Sequence, residues 1–260
     1  MDRLTHVLTS LAVLSTLAPP DATRADDRLA RRLVAAYPSV LARVERGGFV
    51  VWRDGTRMAF DDGREPTSYL ERLDHADLRD QLTTPYPACA PILPPAWNVD
   101  PGRLRHEAFF AKLYGETEAA VRANLVAVDW FGQRVSFTRV GGAAEALRRV
   151  AAEIARLPEL RPFATPSAGT FVRRDVAGTN RVSMHAYAAA IDLNVKSSDY
   201  WRWTGAREGS PNVRYRNRMP LELVRIFEAH GFVWGGRWYH FDTMHFEYRP
   251  ELASLGTCPS

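Results

Sequence analysis

Two segments of the sequence place histidine and carboxylate side chains among apolar or small residues. The first, residues 183–194, reads Ser-Met-His-Ala-Tyr-Ala-Ala-Ala-Ile-Asp-Leu-Asn, so His185 and Asp192 interrupt a stretch that is otherwise typical of a protein core. An unpaired carboxylate is costly to bury, and Asp192 therefore needs a partner there. A metal cation would be such a partner, and the alternative is a hydrogen-bonded His–Asp pair within the core.

The second segment, residues 240–248, reads His-Phe-Asp-Thr-Met-His-Phe-Glu-Tyr. Two histidines and one carboxylate form a recognised ligand set for catalytic zinc, with the fourth position left for water. Zinc lowers the pKa of that water, and a nearby carboxylate must accept its proton, for which Asp242 and Glu247 are candidates. In an extended strand His245 and Glu247 share one face, so Glu247 is suited to orient the ligand, while Asp242 precedes the strand.

Other metal-site patterns are missing from the sequence. It contains no HExxH motif, which excludes the familiar helical zinc-protease arrangement. Four further histidines have no partner at ligand spacing, and we interpret them as structural: His6, His75, His106 and His230.

At the two segments the sequence resembles the VanY-type zinc D-alanyl-D-alanine carboxypeptidases and L-alanyl-D-glutamate endopeptidases of peptidoglycan. Their first motif, Ser-x-His-x-x-Gly-x-Ala-x-Asp, is matched by Ser183, His185, Ala190 and Asp192. Ala188 stands where the motif has Gly. Their second motif, an acid three residues before the last ligand and then Phe-Glu, is matched by residues 242–247. The resemblance is firm over about residues 169–252 and fainter over residues 98–115.

The resemblance implies a site with one zinc ion per chain, held by His185, Asp192 and His245. It implies that Asp242 is the general base and that Ser183 and Glu247 support the site by hydrogen bonding. In the segment 169–174, Arg174 resembles an arginine that contacts the substrate carboxylate or the developing oxyanion; the alternative is a surface arginine beside Asp175. A guanidinium group suits this role because it pairs with a carboxylate through two parallel hydrogen bonds.

The implied fold is α+β, with a small antiparallel sheet that carries a single zinc site and is flanked by helices, as in hedgehog-like and D-Ala-D-Ala-peptidase-like domains. The implied activity is hydrolysis of an amide bond in peptidoglycan stem peptides, by a carboxypeptidase or an endopeptidase. The alternative is a catalytically weak or silent peptidoglycan-binding module on the same fold. Ala188 favours this alternative if its position requires a positive φ, for which Gly is better suited.

The remaining sequence predicts the elements that must position these side chains. Helical spacing predicts helices over residues 27–37 and 143–157 and from Pro220 onward. Residues 49–60 and 126–137 each predict a hairpin around a glycine. Hairpins mixed with separate helices indicate an α+β fold.

Six prolines between Pro85 and Pro101 indicate an irregular segment. We interpret it as the divider between an N-terminal helix and hairpin region, residues 26–100, and a zinc peptidase domain, residues 101–260. The alternative is an irregular wall of one domain.

Composition and the N-terminus bear on where the protein acts. With 46% hydrophobic and 25% charged residues, the composition is that of an ordinary globular protein. Residues 1–25 contain a short apolar run and then small residues, which predicts a signal peptide and export to the periplasm or extracellular space; the alternative is an amphipathic first helix. No later apolar run is long enough to span a bilayer, so no transmembrane anchor is expected after processing.

Charge and cysteines complete the expectations for partners. The net charge of +4 comes mostly from scattered arginines, and no basic patch alternates with aromatic residues, so no nucleic-acid partner is expected. The two cysteines, Cys89 and Cys258, lack metal-binding spacing. In an oxidising compartment they either form one disulfide or remain two free thiols.

Overall fold

The computed structural model describes residues 21–253, with side chains described from residue 26 onward. Most of the segment predicted as a signal peptide, residues 1–25, therefore lies outside the described residues, and so does Cys258 of the possible disulfide. Both stay predictions. Within residues 21–253, no helix combines the length and the apolar character needed to cross a membrane.

Eight α-helices and eight β-strands lie within this part of the chain. The helices are α1 (Asp21–Ala36), α2 (Tyr69–Asp74), α3 (Leu78–Thr83), α4 (Glu107–Tyr114), α5 (Glu118–Arg122), α6 (Ala143–Ile154), α7 (Arg161–Ala164) and α8 (Leu221–Ala229). The strands are β1 (Leu41–Glu45), β2 (Phe49–Trp52), β3 (Arg57–Ala59), β4 (Leu125–Trp130), β5 (Gln133–Thr138), β6 (Ala190–Asp192), β7 (Phe232–Trp234) and β8 (His245–Tyr248). Short 3₁₀ helices include Met184–Tyr187 and Gly235–Arg237.

The strands form three small antiparallel sheets. Their strand orders are β1-β2-β3, β4-β5 and β6-β8-β7. Both predicted hairpins are confirmed, the first turning at Gly55 and the second at Gly132, and both glycines have a positive φ. Antiparallel sheets with separate helices confirm the predicted α+β class.

The three predicted helices are present, with different ends. Helix α1 already begins at Asp21, and α6 ends at Ile154 rather than at residue 157. The residue before a proline is driven out of the helical conformation, and Leu157, which precedes Pro158, has φ −125°. Pro220 is the extended residue that precedes α8 rather than its first helical residue.

Two large apolar clusters hold these elements together. One lies between the β4-β5 hairpin, α6, α8 and the β6-β8-β7 sheet. The other includes Leu33, Trp52, Phe109, Tyr187 and Leu252. This second cluster therefore draws side chains from both sides of the proline-rich segment.

Two glycines fix the loop that leads into β8. A Cβ atom on Gly235 would lie 2.5 Å from the Asp242 carbonyl oxygen, and one on Gly236 would lie 2.1 Å from the Trp234 ring. Neither distance is possible for a real side chain. The indole nitrogen of Trp234 also donates to the Thr243 carbonyl at 2.9 Å, so the loop is held closely against β7.

Candidate metal centre

His185 lies in the 3₁₀ turn Met184–Tyr187, which is closed at both ends. At its start, the Ser183 hydroxyl accepts a hydrogen bond from the His185 backbone N–H at 3.3 Å. At its end, Ala188 has φ +51°, in the left-handed region, and its N–H donates to the His185 carbonyl at 3.1 Å. The turn is buried, so the imidazole has a fixed position.

Strand pairing brings the other two predicted ligands to the same place. Asp192, at the end of β6, is directly opposite His245, at the start of β8. Asp192 Oδ1 lies 3.0 Å from His245 Nδ1 and 3.2 Å from His185 Nε2, and the two ring nitrogens are 3.2 Å apart. The structure therefore brings the three predicted ligands together, each with one possible ligand atom within 3.2 Å of the other two.

In each of the two imidazole rings, the nitrogen that faces away from the other ligands determines the protonation of the nitrogen that faces them. We call these the outer and the inner nitrogen. His185 Nδ1 is 3.1 Å from the Thr170 carbonyl oxygen, and His245 Nε2 is 3.0 Å from Glu247 Oε2. A carbonyl or carboxylate oxygen accepts, so in a neutral imidazole the outer nitrogen carries the proton and the inner nitrogen presents a lone pair. The two neutral rings and the Asp192 carboxylate then present three acceptor atoms close together, an arrangement that fits a divalent cation such as zinc.

Glu247 is fully buried and is held from two further directions. Arg105 donates to Oε2 at 3.0 Å and Arg249 donates to Oε1 at 2.9 Å. Burial alone would raise the pKa of Glu247, but Arg105, the contact with His245 and Arg249 outweigh it and lower the pKa to about 2. Glu247 is therefore a carboxylate at neutral pH and is placed to orient His245.

Asp242 lies in the turn before β8, on the wall of the cleft that also contains the three ligands. Its Oδ1 is buried and has no hydrogen-bond partner. Burial, and secondly the negative charge of Asp192, raise the pKa of Asp242 to about 7. A carboxylate with one unpartnered oxygen and such a pKa is suited to exchange protons with a group in the cleft.

The two arginines of the segment 169–174 take different positions. Arg174 is exposed and lines the cleft, with one long hydrogen bond of 3.4 Å to the Asp175 carbonyl. Arg173 is not among the cleft-lining residues, and its NH2 donates to the Glu116 carbonyl at 3.4 Å.

His240 belongs to the second sequence segment, but its ring is fully engaged elsewhere. Its Nδ1 is 2.6 Å from Asp100 Oδ2, and its Nε2 accepts the Gly209 backbone N–H at 3.0 Å. Tyr69 stacks on the same ring at 5.3 Å. With both nitrogens used, His240 is a structural residue of the cleft wall.

Residue-type reasoning did not identify Asp100 or Arg105 as parts of this site. They lie 140 and 142 residues from His240 and Glu247, their respective partners. A separation of this size leaves no spacing to recognise in a single sequence. The sequence indicated only that Glu247 would need cationic partners if it were buried, and it did not indicate which residues those partners are.

Asp61, Asp62 and Asp77 form a second group of neighbouring carboxylates, and hydrogen bonds to the backbone explain the position of its buried member. The carboxylate of Asp77 accepts the backbone N–H groups of Asp62 and Asp80, each at 2.8 Å, and so caps α3. The neighbouring Asp61 and Asp62 are exposed.

Comparison with known proteins gives a match over the part of the chain that contains these residues. Residues 177–248 match the family model described as D-alanyl-D-alanine carboxypeptidase. The match supports a relationship between this part of the chain and the M15 peptidase family. The matched range includes His185, Asp192, Asp242 and His245. No curated protein and no solved structure matches the chain.

Proposed function

We propose that this protein is an exported, zinc-dependent peptidase that hydrolyses an amide bond in peptidoglycan stem peptides. A VanY-type D,D-carboxypeptidase or an L-Ala-D-Glu endopeptidase is the reaction type we infer. The observation that carries the proposal is the convergence of His185 Nε2, Asp192 Oδ1 and His245 Nδ1 within 3.2 Å of one another. The family match over residues 177–248 agrees with it.

The proposal assigns the metal, Asp242 and Arg174 different roles in hydrolysis of the amide bond. Zinc would supply Lewis-acid polarisation of a water molecule and of the scissile carbonyl. Asp242 accepts a proton from the attacking water and passes it to the leaving amine as the C–N bond breaks. Arg174 contacts the substrate carboxylate or the developing oxyanion.

Two further residues keep the ligands in position. The Ser183 hydroxyl holds the turn that carries His185. The Glu247 carboxylate keeps the proton on His245 Nε2, so that Nδ1 stays free to bind the metal.

The second candidate is a weak or silent peptidoglycan-binding module, which Ala188 favours because its methyl group sits on a left-handed backbone. Several observations argue against it. The three ligand atoms still converge, Asp242 keeps an unpartnered oxygen, and Ala188 is not among the residues that line the cleft.

Metal analysis and muropeptide digestion test the proposal together. We expect about one zinc per chain, release of shortened stem peptides, and loss of both in His185→Ala. His230→Ala is the matched control, because that ring contacts Glu153 away from the cleft. Protein kept from chelators that holds no stoichiometric zinc would contradict the proposal, and zinc without any digestion would favour the silent module.

A further inference from the structure

Arg105 lines the cleft next to the metal ligands, with its side chain 13% exposed. Its NH1 donates to Glu247 Oε2 at 3.0 Å, and this is the one hydrogen bond that Arg105 makes within residues 21–253. Its Nε and NH2 have no hydrogen-bond partner in that range, and neither atom is sealed from solvent. Arg105 therefore offers free N–H donors to the cleft.

The charge of Arg105 is only partly compensated. Among the side chains described, residues 26–253, Glu247 is its single carboxylate partner. That carboxylate also contacts His245 through Oε2 and accepts from Arg249 through Oε1. One negative charge is thus shared among three groups. A largely desolvated guanidinium in this position gains most from an additional anion.

Arg103, on the wall of the same cleft, shows the contrast. Its NH1 lies 3.1 Å from Asp100 Oδ2, and its NH2 lies 2.5 Å from Glu208 Oε1. Arg103 therefore has two carboxylates and no comparable need for a ligand.

We propose that Arg105 binds the C-terminal carboxylate of the peptide substrate and is a specificity-determining residue of this site. Arg105 lines the same cleft as His185, Asp192 and His245, so an anion held by its free N–H groups lies in the cleft that contains the candidate metal centre. In a carboxypeptidase substrate, the free carboxylate belongs to the terminal residue, which is the residue that leaves on cleavage. This proposal rests on the proposed peptidase function. It identifies the substrates as peptides with a free C-terminal carboxylate, the substrates of a carboxypeptidase.

This assignment also separates the roles of the two cleft arginines. Arg105 is anchored and mostly buried, as a recognition group should be. Arg174 is exposed, and within residues 26–253 its guanidinium makes one hydrogen bond, of 3.4 Å, so this group is left to meet the developing oxyanion.

The test compares an acetylated L-Lys-D-Ala-D-Ala tripeptide with its C-terminal amide, using the zinc-loaded full chain. We expect wild type to prefer the free acid by about 10- to 100-fold in kcat/KM, the range of one charged hydrogen-bonded contact. In Arg105→Gln this preference should disappear, mainly through KM. Arg105→Lys should restore part of it, because lysine keeps the charge without the two-pronged geometry.

Three controls exclude a merely structural effect. Zinc content should stay unchanged in Arg105→Gln, since Glu247 keeps its contacts with His245 and Arg249. Arg173→Gln should keep the wild-type preference, because the Arg173 side chain does not line the cleft and donates to the Glu116 carbonyl. Calorimetric binding of both peptides to Asp242→Asn gives a readout that does not require turnover.

The possible outcomes separate this proposal from the peptidase function. If wild type cleaves the acid but Arg105→Gln slows acid and amide equally, Arg105 only positions Glu247 and the proposal is wrong. A preference that survives in Arg105→Gln but is lost in Arg174→Gln overturns it as well. If neither peptide is cleaved, the calorimetry still decides, and equal or absent binding of acid and amide would refute it.

Discussion

At the scale of single residues, Asp242 has the chemistry that depends most on its surroundings. Burial and the nearby Asp192 raise its pKa to about 7. A divalent cation among the ligands would add positive charge and move this pKa downward. Since a general base acts in its ionised form, turnover should rise as the pH rises through the pKa of Asp242 in the metal-loaded protein.

Removing the proton acceptor while keeping its size tests this role. We expect Asp242→Asn to bind about one zinc per chain and to lose turnover by a factor on the order of 10² to 10⁴. Asp129→Asn is the matched control, because Asp129 is exposed near the end of β4, in the β4-β5 hairpin. Retained turnover in Asp242→Asn would transfer the base role to Glu247.

At the scale of elements, the turn Met184–Tyr187 and strand β8 decide the geometry of the site. The turn ends at Ala188, whose φ of +51° costs an alanine about 1 kcal/mol relative to an ordinary conformation. Glycine would avoid this strain, but it would lose a buried methyl group and gain freedom in the unfolded chain. The opposing effects are of similar size.

We therefore expect Ala188→Gly to change the free energy of unfolding by less than about 1 kcal/mol and to leave turnover within about threefold of wild type. A β-branched residue is poorly suited to the left-handed region, so Ala188→Val should destabilise the protein by more than about 2 kcal/mol. Urea denaturation and muropeptide turnover measure both effects. A large gain of turnover in Ala188→Gly would instead show that the alanine impairs catalysis.

The elements also show what periodicity can and cannot predict. Helix α6 and both hairpins were predictable, because Leu147, Val150 and Ile154 recur at helical spacing and each hairpin has a glycine at its turn. Helices α2 and α3 have six residues each, too few for a periodic pattern, and depend on their capping residues Ser68 and Asp77.

The same limit applies to the site. His185, Asp192 and His245 were predictable from local motifs, because each motif is compact in sequence. The clamp of Arg105 and Arg249 on Glu247 depends on tertiary contacts, and no local pattern encodes it.

At the scale of the whole molecule, a buried polar network joins distant parts of the chain. Asp100 contacts His240, Tyr69 and Arg103, and Arg103 continues to Glu208. Glu208 in turn accepts from Arg181, which also pairs with Asp74 of α2. The network thus ties α2 and the segment after the prolines to the cleft, whereas the division at residue 101 stays a prediction.

Asp100 makes this network sensitive to acid. Burial would raise its pKa, but Arg103 and the hydrogen bonds from His240 and Tyr69 outweigh burial and lower the pKa from 3.8 to about 2. A pKa below its unfolded value contributes stability that is fully present above about pH 4 and is lost as the pH falls through about 2. The contribution is about 2 kcal/mol at neutral pH.

Asp100→Asn should therefore lower the free energy of unfolding by about 2 kcal/mol at pH 7, and the difference from wild type should shrink between pH 4 and pH 2. Urea denaturation of both proteins across this range measures it, and the difference between them cancels effects of metal release that they share. Asp54→Asn is the control, because the pKa of Asp54 is also about 2, lowered mainly by its hydrogen bond from Lys112, yet Asp54 is exposed. Solvent screens such a pair, so its loss should matter much less. A constant difference between wild type and Asp100→Asn from pH 7 to pH 2 would mean that Asp100 acts through packing and not through its charge.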